Sequence, residues 1–263
     1  MITLGFDVEE FDMPFEYGKT LPFSEQLSIS TTGTLLILGL LKEAGIKATF
    51  FCTAHYALHQ PEIILKIVND GHEIASHGYY HSDFKPQHLE QSKILLEKIS
   101  GTKVTGYRMA RMMPVDEEEI QKAGYLYNSS INPTWIPGRY NNLKKPRSWF
   151  FDKGVLQIPA SVSASLRFPL FWLTFHNLPL SIIKRMSAGA YTKDGYLNLY
   201  FHPWEFTDLK QPARFGFPSY VSKRSGAPFV KRIKNFIEWA QSNNYEFART
   251  GDFASAIIKK QNQ

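Results

Sequence analysis

Cysteine is nearly absent from this 263-residue sequence. With Cys52 alone, an internal disulfide and a cysteine-rich zinc site are both excluded, and its setting in Ala48-Thr49-Phe50-Phe51-Cys52 predicts a buried, inert thiol. Long hydrophobic runs are missing too. The longest uncharged apolar stretch, Phe168 to Ile183, is broken by Pro169, His176, Asn177 and Pro179 and falls short of the ~20 residues that span a bilayer. Its basic flanks, Arg167 and Lys184-Arg185, leave two readings, a loop-helix segment packed on the fold or a contact lying on a membrane surface. Ahead of Asp7 there is neither a basic region nor an apolar core, so no secretory signal is expected in this chain and the expected location is cytoplasmic, with membrane association as a variant. Neither charge sign dominates. The 30 Lys and Arg against 24 Asp and Glu leave +6, in no run longer than Lys144-Lys145-Pro146-Arg147 or Lys231-Arg232-Ile233-Lys234, which argues against a nucleic-acid binder. A basic surface suits an acidic glycan, a phospholipid-linked substrate or an anionic membrane equally well. With 17 Gly, 15 Pro and no internal repeat, collagen-like and long disordered architectures are excluded.

What remains is an ordinary globular composition, 43% hydrophobic and 14% aromatic, long enough for one large core. Short apolar runs alternate with longer amphipathic ones, which predicts an α/β fold. Strands are predicted at Ile2–Phe6, Ile46–Phe51, His72–Ser76, Lys103–Tyr107, Tyr125–Tyr127, Val155–Ile158, Tyr196–His202 and Tyr245–Ala248. Helices are predicted at Thr32–Ala44, Pro61–Asn69, Gln87–Ile99, Asp116–Ala123 and Pro228–Gln241. One barrel-like domain over 1–263, with about seven strands, accounts for the length. Loops at 132–149 and 207–226 are insertions that would lie over the barrel mouth, offering Trp135, Arg139, Tyr140, Arg214 and Phe217 to a substrate.

Four constellations sit at strand ends. Gly5-Phe6-Asp7-Val8-Glu9-Glu10-Phe11-Asp12 crowds four acids after an apolar strand, and period-two alternation puts Asp7 and Glu9 on one face, where they need a cation or an arginine. Ser76-His77-Gly78-Tyr79-Tyr80-His81 carries two histidines four apart, a metal-ligand spacing. Gly106-Tyr107-Arg108 and Tyr200-Phe201-His202-Pro203-Trp204-Glu205 are weak singly and gain from their shared position at strand termini. Tyr79 and Trp204, inside two of these motifs, join Trp135 and Arg214 as expected substrate contacts. His55, His59, His88 and His176 have no partner motif and read as structural, His88 on a helix surface.

In this order the motifs resemble the polysaccharide deacetylase superfamily (NodB-homology, carbohydrate esterase family 4), and the Phe-Asp-Val-Glu and His-Pro-Trp-Glu segments resemble one of its branches. The resemblance spans Ile2 to about Phe253. It implies a distorted (β/α) barrel and metal-dependent hydrolysis of an N- or O-acetyl group on a sugar. It also implies Asp7 as general base, His77 and His81 as metal ligands, Arg108 as the partner orienting Asp7, and His202 as general acid. The family's metal-binding aspartate would stand at Val8, so Glu9 is taken as the third ligand, as in relatives with an Asp-x-Asp arrangement. Two further departures are Arg108-Met109-Ala110-Arg111-Met112-Met113-Pro114, where the proline comes late, and the missing aspartate-tryptophan support of the histidine, for which Trp149 and Asp152 are the nearest candidates. The implied cofactor is one divalent ion, zinc first, with cobalt, nickel or iron as alternatives.

These residue types suit the reaction independently. An amide carbonyl is a poor electrophile, and a divalent ion both polarises it and acidifies water from ~15.7 towards ~7. A carboxylate can take the water's proton, and a histidine with an ordinary pKa of about 6.5 can protonate the departing amine. The expected function is therefore metal-dependent removal of an N-acetyl or other N-acyl group from a sugar of a glycan or of a lipid- or nucleotide-linked saccharide precursor. A carbohydrate-binding barrel without catalysis, and hydrolysis of a non-sugar C–N bond such as a formamide or ureide, are the competing expectations.

Overall fold

The computed structural model describes residues 1–261. In chain order its elements are β1 (Ile2–Val8), α1 (Phe23–Ala44), β2 (Thr49–Cys52), α2 (Ala54–His59), α3 (Pro61–Asn69), β3 (Glu73–Ser76), α4 (Gln87–Ser100), β4 (Gly106–Tyr107), α5 (Glu117–Lys122) and β5 (Tyr127–Asn128). They continue with β6 (Trp135–Ile136), β7 (Tyr140–Asn141), β8 (Phe150–Asp152), β9 (Val155–Gln157), α6 (Trp172–Asn177), α7 (Leu180–Asp194), β10 (Leu197–Phe201), α8 (Pro212–Phe215), α9 (Ser219–Ser222), α10 (Ala227–Ser242), β11 (Phe247–Ala248) and α11 (Thr250–Gln261). Each of the eight predicted strands overlaps one of these.

Seven strands run in parallel in the order β10-β1-β2-β3-β4-β5-β9; β8 folds back antiparallel on β9, and β11 pairs with the first residues of β1. The parallel ladder ends at β9, but the chain after it swings across to β10 and closes the ring through Asn198, with Tyr196 Oη donating to Pro159 O at 3.3 Å beside it. Asn198 accepts the Ser161 N–H through its carbonyl at 2.9 Å and donates from its side chain to Ile158 O at 3.0 Å and Ser129 Oγ at 2.9 Å. The result is a distorted (β/α) barrel, as the sequence predicts.

Along β1 the alternation divides the chain's two environments. Ile2, Leu4, Phe6 and Val8 join the large core under the helices, with Phe6 against Phe50, Phe201 and Phe206. Thr3, Gly5 and Asp7 point into the barrel. Helix α11 plugs the end where the strands begin. Ala254 and Ile257 pack with Phe51 and Tyr127, while the Thr250 and Gly251 N–H groups bond Thr49 Oγ1 and Glu73 Oε2. Only the end where the strands finish is left open.

Helix α1 starts nine residues earlier than the apolar period predicts, because its first turns bury polar groups. Ser30 Oγ donates to Glu9 O at 2.5 Å and Gln26 Nε2 to Leu21 O at 3.0 Å. By length and composition α1 is apolar enough to cross a membrane. It lies instead on the barrel, its buried Leu27, Ile37, Leu38 and Leu41 in the main core. Phe168–Ile183 forms a loop and parts of α6 and α7, with Leu170, Phe175 and Ile183 buried. Helix α7 escaped the periodicity because its fully buried positions, Ile183, Ser187 and Ala190, are mostly small.

Candidate active site

Asp7 is the next-to-last residue of β1 and faces inward at the open end. Its Oδ1 accepts from Arg108 Nη1 at 2.6 Å. Arg108 is wholly buried, an expensive position for a charge unless it is paired. Its Nε and Nη2 donate to the carbonyl and hydroxyl of Ser129 at 3.2 and 3.0 Å, and the guanidinium lies 3.9 Å over the Phe51 ring. Gly5 makes room for it, since a Cβ there would stand 2.7 Å from Arg108 Nη1.

Beside this pair stand Glu9, His77 and His81, whose ligand atoms all lie within 4.8 Å of one another. Glu9 Oε2 is 3.3 Å from His77 Nε2 and 2.9 Å from His81 Nε2, yet this buried oxygen has no well-aligned hydrogen-bond partner. The far nitrogens explain why. His77 Nδ1 is 2.9 Å from the Arg108 carbonyl, which can only accept, so the proton sits on Nδ1 and the Nε2 lone pair faces Glu9. His81 Nδ1 is 2.7 Å from Asp12 Oδ1, a carboxylate support of the kind that orients metal-binding histidines. Burial alone would raise the Glu9 carboxyl, but the charge of His81 outweighs it and holds it well below the usual range. Burial alone would lower His81, but Glu9 and Asp12 raise it to about 10. Two imidazoles and a carboxylate converging on one buried point fit a divalent ion, and a His₂Glu set leaves coordination positions open.

Across the cleft, His202 follows directly on β10. Its Nε2 is 4.0 Å from Asp7 Oδ2, and its Nδ1 is 3.0 Å from Glu205 Oε1, which also accepts the His202 backbone N–H at 2.6 Å. Glu205, three residues on in the 3-10 turn Pro203–Phe206, is fully buried and bonds His176 Nε2 at 3.0 Å through its other oxygen. Burial lowers the His202 pKa, but the Glu205 bond and the charges of Glu9, Glu205 and Asp7 overcome it, and the net shift is upward. Trp204 stacks on His202 at 4.8 Å and donates to Glu9 Oε1 at 3.4 Å, linking the histidine side to the cage.

The cleft over these groups holds about 290 Å³ and is lined by Asp7, Glu9, His81, His202 and Trp204, with Arg111, Arg139, Tyr140, Phe171 and Trp172. Of the six predicted metal and chemistry-bearing residues, Asp7, Glu9, His81 and His202 line the cleft, and His77 and Arg108 stand buried behind them against Glu9 and Asp7. The predicted substrate contacts divide: Trp204, Arg139 and Tyr140 line the cleft, and four others do not. Tyr79 stacks on Tyr80 and His88 outside it, and Trp135 lines a neighbouring trough. Arg214 pairs with Glu25 at 2.5 Å, and Phe217 is buried against Phe215 and Phe11. Trp149 and Asp152 make no hydrogen bond to His202; Glu205 takes that place, and His176 has in Glu205 the partner its sequence context does not show. His88 is buried rather than on a helix surface. Asp12 stood in the acid cluster without a role, Glu205 becomes readable only once the turn after His202 is known, and Ser129 carried no signal. The late proline accompanies left-handed backbone at Arg111 and Met112, φ 59° and 53°.

Comparison with known proteins follows this geometry. Residues 15–124 match the polysaccharide deacetylase family, a span that contains His77, His81 and Arg108 but neither Asp7 nor Glu9. The fold resembles that of a putative polysaccharide deacetylase from Mycobacterium smegmatis, with a TM-score of 0.68 and 18% identity over 99% of this chain and 90% of the other. It equally resembles a probable polysaccharide deacetylase from Pseudomonas aeruginosa, with a TM-score of 0.68 and 18% identity over 97% of this chain and 89% of the other. The chain is thus similar to the polysaccharide deacetylase family over residues 15–124, and it shares the fold of these two neighbours over nearly its whole length. Peptidoglycan-N-acetylmuramic acid deacetylase PdaA of Bacillus subtilis is 31% identical over 72 residues, 27% of this chain and 27% of that protein. The chain thus spans only about a quarter of that curated relative.

Proposed function

We propose that this protein is a metal-dependent hydrolase that removes an N-acetyl group from a sugar. The observation that carries the reading is the Glu9–His77–His81 cage set beside an arginine-held carboxylate and a glutamate-held histidine in one cleft. Glu9, His77 and His81 would hold the ion, zinc first, which supplies carbonyl polarisation and acidification of water. Asp7 takes the proton of the attacking water. Arg108 fixes the Oδ1 of that carboxylate, leaving Oδ2 towards the cleft. His202 gives its proton to the departing nitrogen, without which an amine cannot leave. Asp7 Oδ2 and His202 Nε2 lie 4.0 Å apart in the cleft, so base and acid can both reach the same scissile group.

The test is acetate release from N-acetylglucosamine oligomers and from other N-acetylated sugars by protein reconstituted with zinc, cobalt or nickel, with bound metal measured alongside. Near-stoichiometric metal and turnover, both lost in His77→Ala, are expected. Metal bound without turnover of any acylated sugar would overturn the reading and favour glycan binding or a non-sugar C–N substrate.

A further inference from the structure

Next to the cleft lies a second concavity of about 470 Å³, between the β6–β7 hairpin and the loop 162–169. Ile136, Pro137, Phe171 and Leu173 line both, so the two lie side by side across one shared ridge. Trp135 is 58% exposed and Leu166 85%, and Leu143 and Phe168 are exposed beside them. This is a contiguous apolar patch of the sort that marks a binding surface. Its few polar side chains are already committed to backbone. Thr134 Oγ1 donates to Arg167 O at 2.7 Å, Arg167 Nη1 to Lys145 O at 2.7 Å, and Asn177 Nδ2 to Leu173 O and Tyr220 O at 2.9 Å. Little is left for sugar hydroxyls, so the trough does not suit a further sugar unit of a glycan.

Charge lies where cleft and trough meet. Arg139, 54% exposed and lining the cleft, meets Glu16 at 3.4 Å, a carboxylate that Arg111 already takes at 2.9 Å while also reaching Asp12 at 3.4 Å, and exposed Lys144 and Lys145 follow Leu143 at the rim. The loop carrying Leu166 is held in place. Val162 bridges Pro169, the Ser163 N–H bonds Phe168 O at 2.8 Å, and Arg167 adopts a left-handed φ of 50°.

We infer that the trough takes the hydrocarbon chain of a lipid-linked saccharide, with its anionic linkage at Arg139 and the rim lysines and its acylated sugar over the Glu9–His77–His81 cage. The inference deepens the deacetylase reading and rests on it for the sugar end. Calorimetric titration with butyl, hexyl and octyl phosphate below their micelle concentrations tests it, with inorganic phosphate as control. At roughly 0.8 kcal/mol per buried methylene, affinity should rise up to about fourfold for each CH₂. Octyl phosphate should bind at least about tenfold tighter than butyl phosphate, and Leu143→Asp and Leu166→Asp, both at exposed positions, should remove most of that gain. Binding independent of chain length, or chain dependence unchanged in both variants, would overturn the assignment. So would adsorption to phosphatidylglycerol vesicles without chain-dependent binding of the monomeric phosphates, which would make the patch a membrane contact. Acetate release from a short soluble oligomer, read in the same variants, should stay at the unmodified level. Its absence in the unmodified protein would sink the deacetylase reading while leaving the binding result intact.

Discussion

Glu205 shows how much one buried residue can govern. Its Oε1 holds His202 by both ring nitrogen and backbone N–H, while Oε2 holds His176, and none of the three carboxylate contacts is open to solvent. To act as an acid, His202 must be protonated. Burial lowers its pKa, and Glu205 with the nearby Glu9 and Asp7 more than reverses this. The proton is therefore held to a higher pH than an ordinary histidine's, and kcat/KM is lost only as pH rises through the raised value. Glu205→Gln keeps the volume and an acceptor for the His202 N–H but removes the charge. The alkaline limb of the kcat/KM profile should move to lower pH, with kcat down by roughly tenfold to a hundredfold. An unmoved alkaline limb would mean that Glu205 only shapes the turn.

At the scale of elements, the cleft depends on how closely α1 approaches the 3-10 turn Pro203–Phe206 behind His202. Gly33 is the contact point. A Cβ there would stand 1.9 Å from the Pro203 carbonyl oxygen, a backbone atom that cannot swing aside. Gly33→Ala should therefore push the turn away and cost about 1–3 kcal/mol in urea unfolding. Because the turn carries Glu205, kcat should fall more than KM rises. An alanine variant with unchanged stability and unchanged kcat would show that α1 can slide without disturbing the histidine.

Across the whole molecule, the weak seam is between β9 and β10, which no continuous ladder joins. Asn198 spans it, bonding Ser161 and Ile158 on one side, and its Oδ1 accepts from Thr3 Oγ1 on β1 at 3.1 Å. It also reaches Ser129, which holds Arg108, so the seam and the base share one polar network. Asn198→Leu fills similar space but orphans these buried groups. A loss of about 3 kcal/mol or more is expected from urea denaturation, together with reduced turnover through Ser129 and Arg108. Full stability in this variant would show that the barrel closes by packing alone.

By itself the sequence carried the α/β rhythm and the strand-end positions Asp7, Glu9, His77 and His81, whereas Arg108 and His202 were weak singly and gained from their shared place at strand ends and from the family resemblance. The first four were legible because acids and histidines directly after apolar strands break the local pattern, and period-two alternation already puts Asp7 and Glu9 on one face. Only the tertiary structure decided what surrounds them. Ser129 and Asn198 are ordinary polar residues until the barrel curls and brings them to Arg108. Asp12 supports His81 across 69 positions of chain. The expected contacts Tyr79, Trp135, Arg214 and Phe217 missed the cleft because a loop's composition says that it can bind, whereas its direction is set by packing against distant elements. The same long-range packing, by laying the β6–β7 hairpin beside the loop 162–169, forms the apolar trough next to the site.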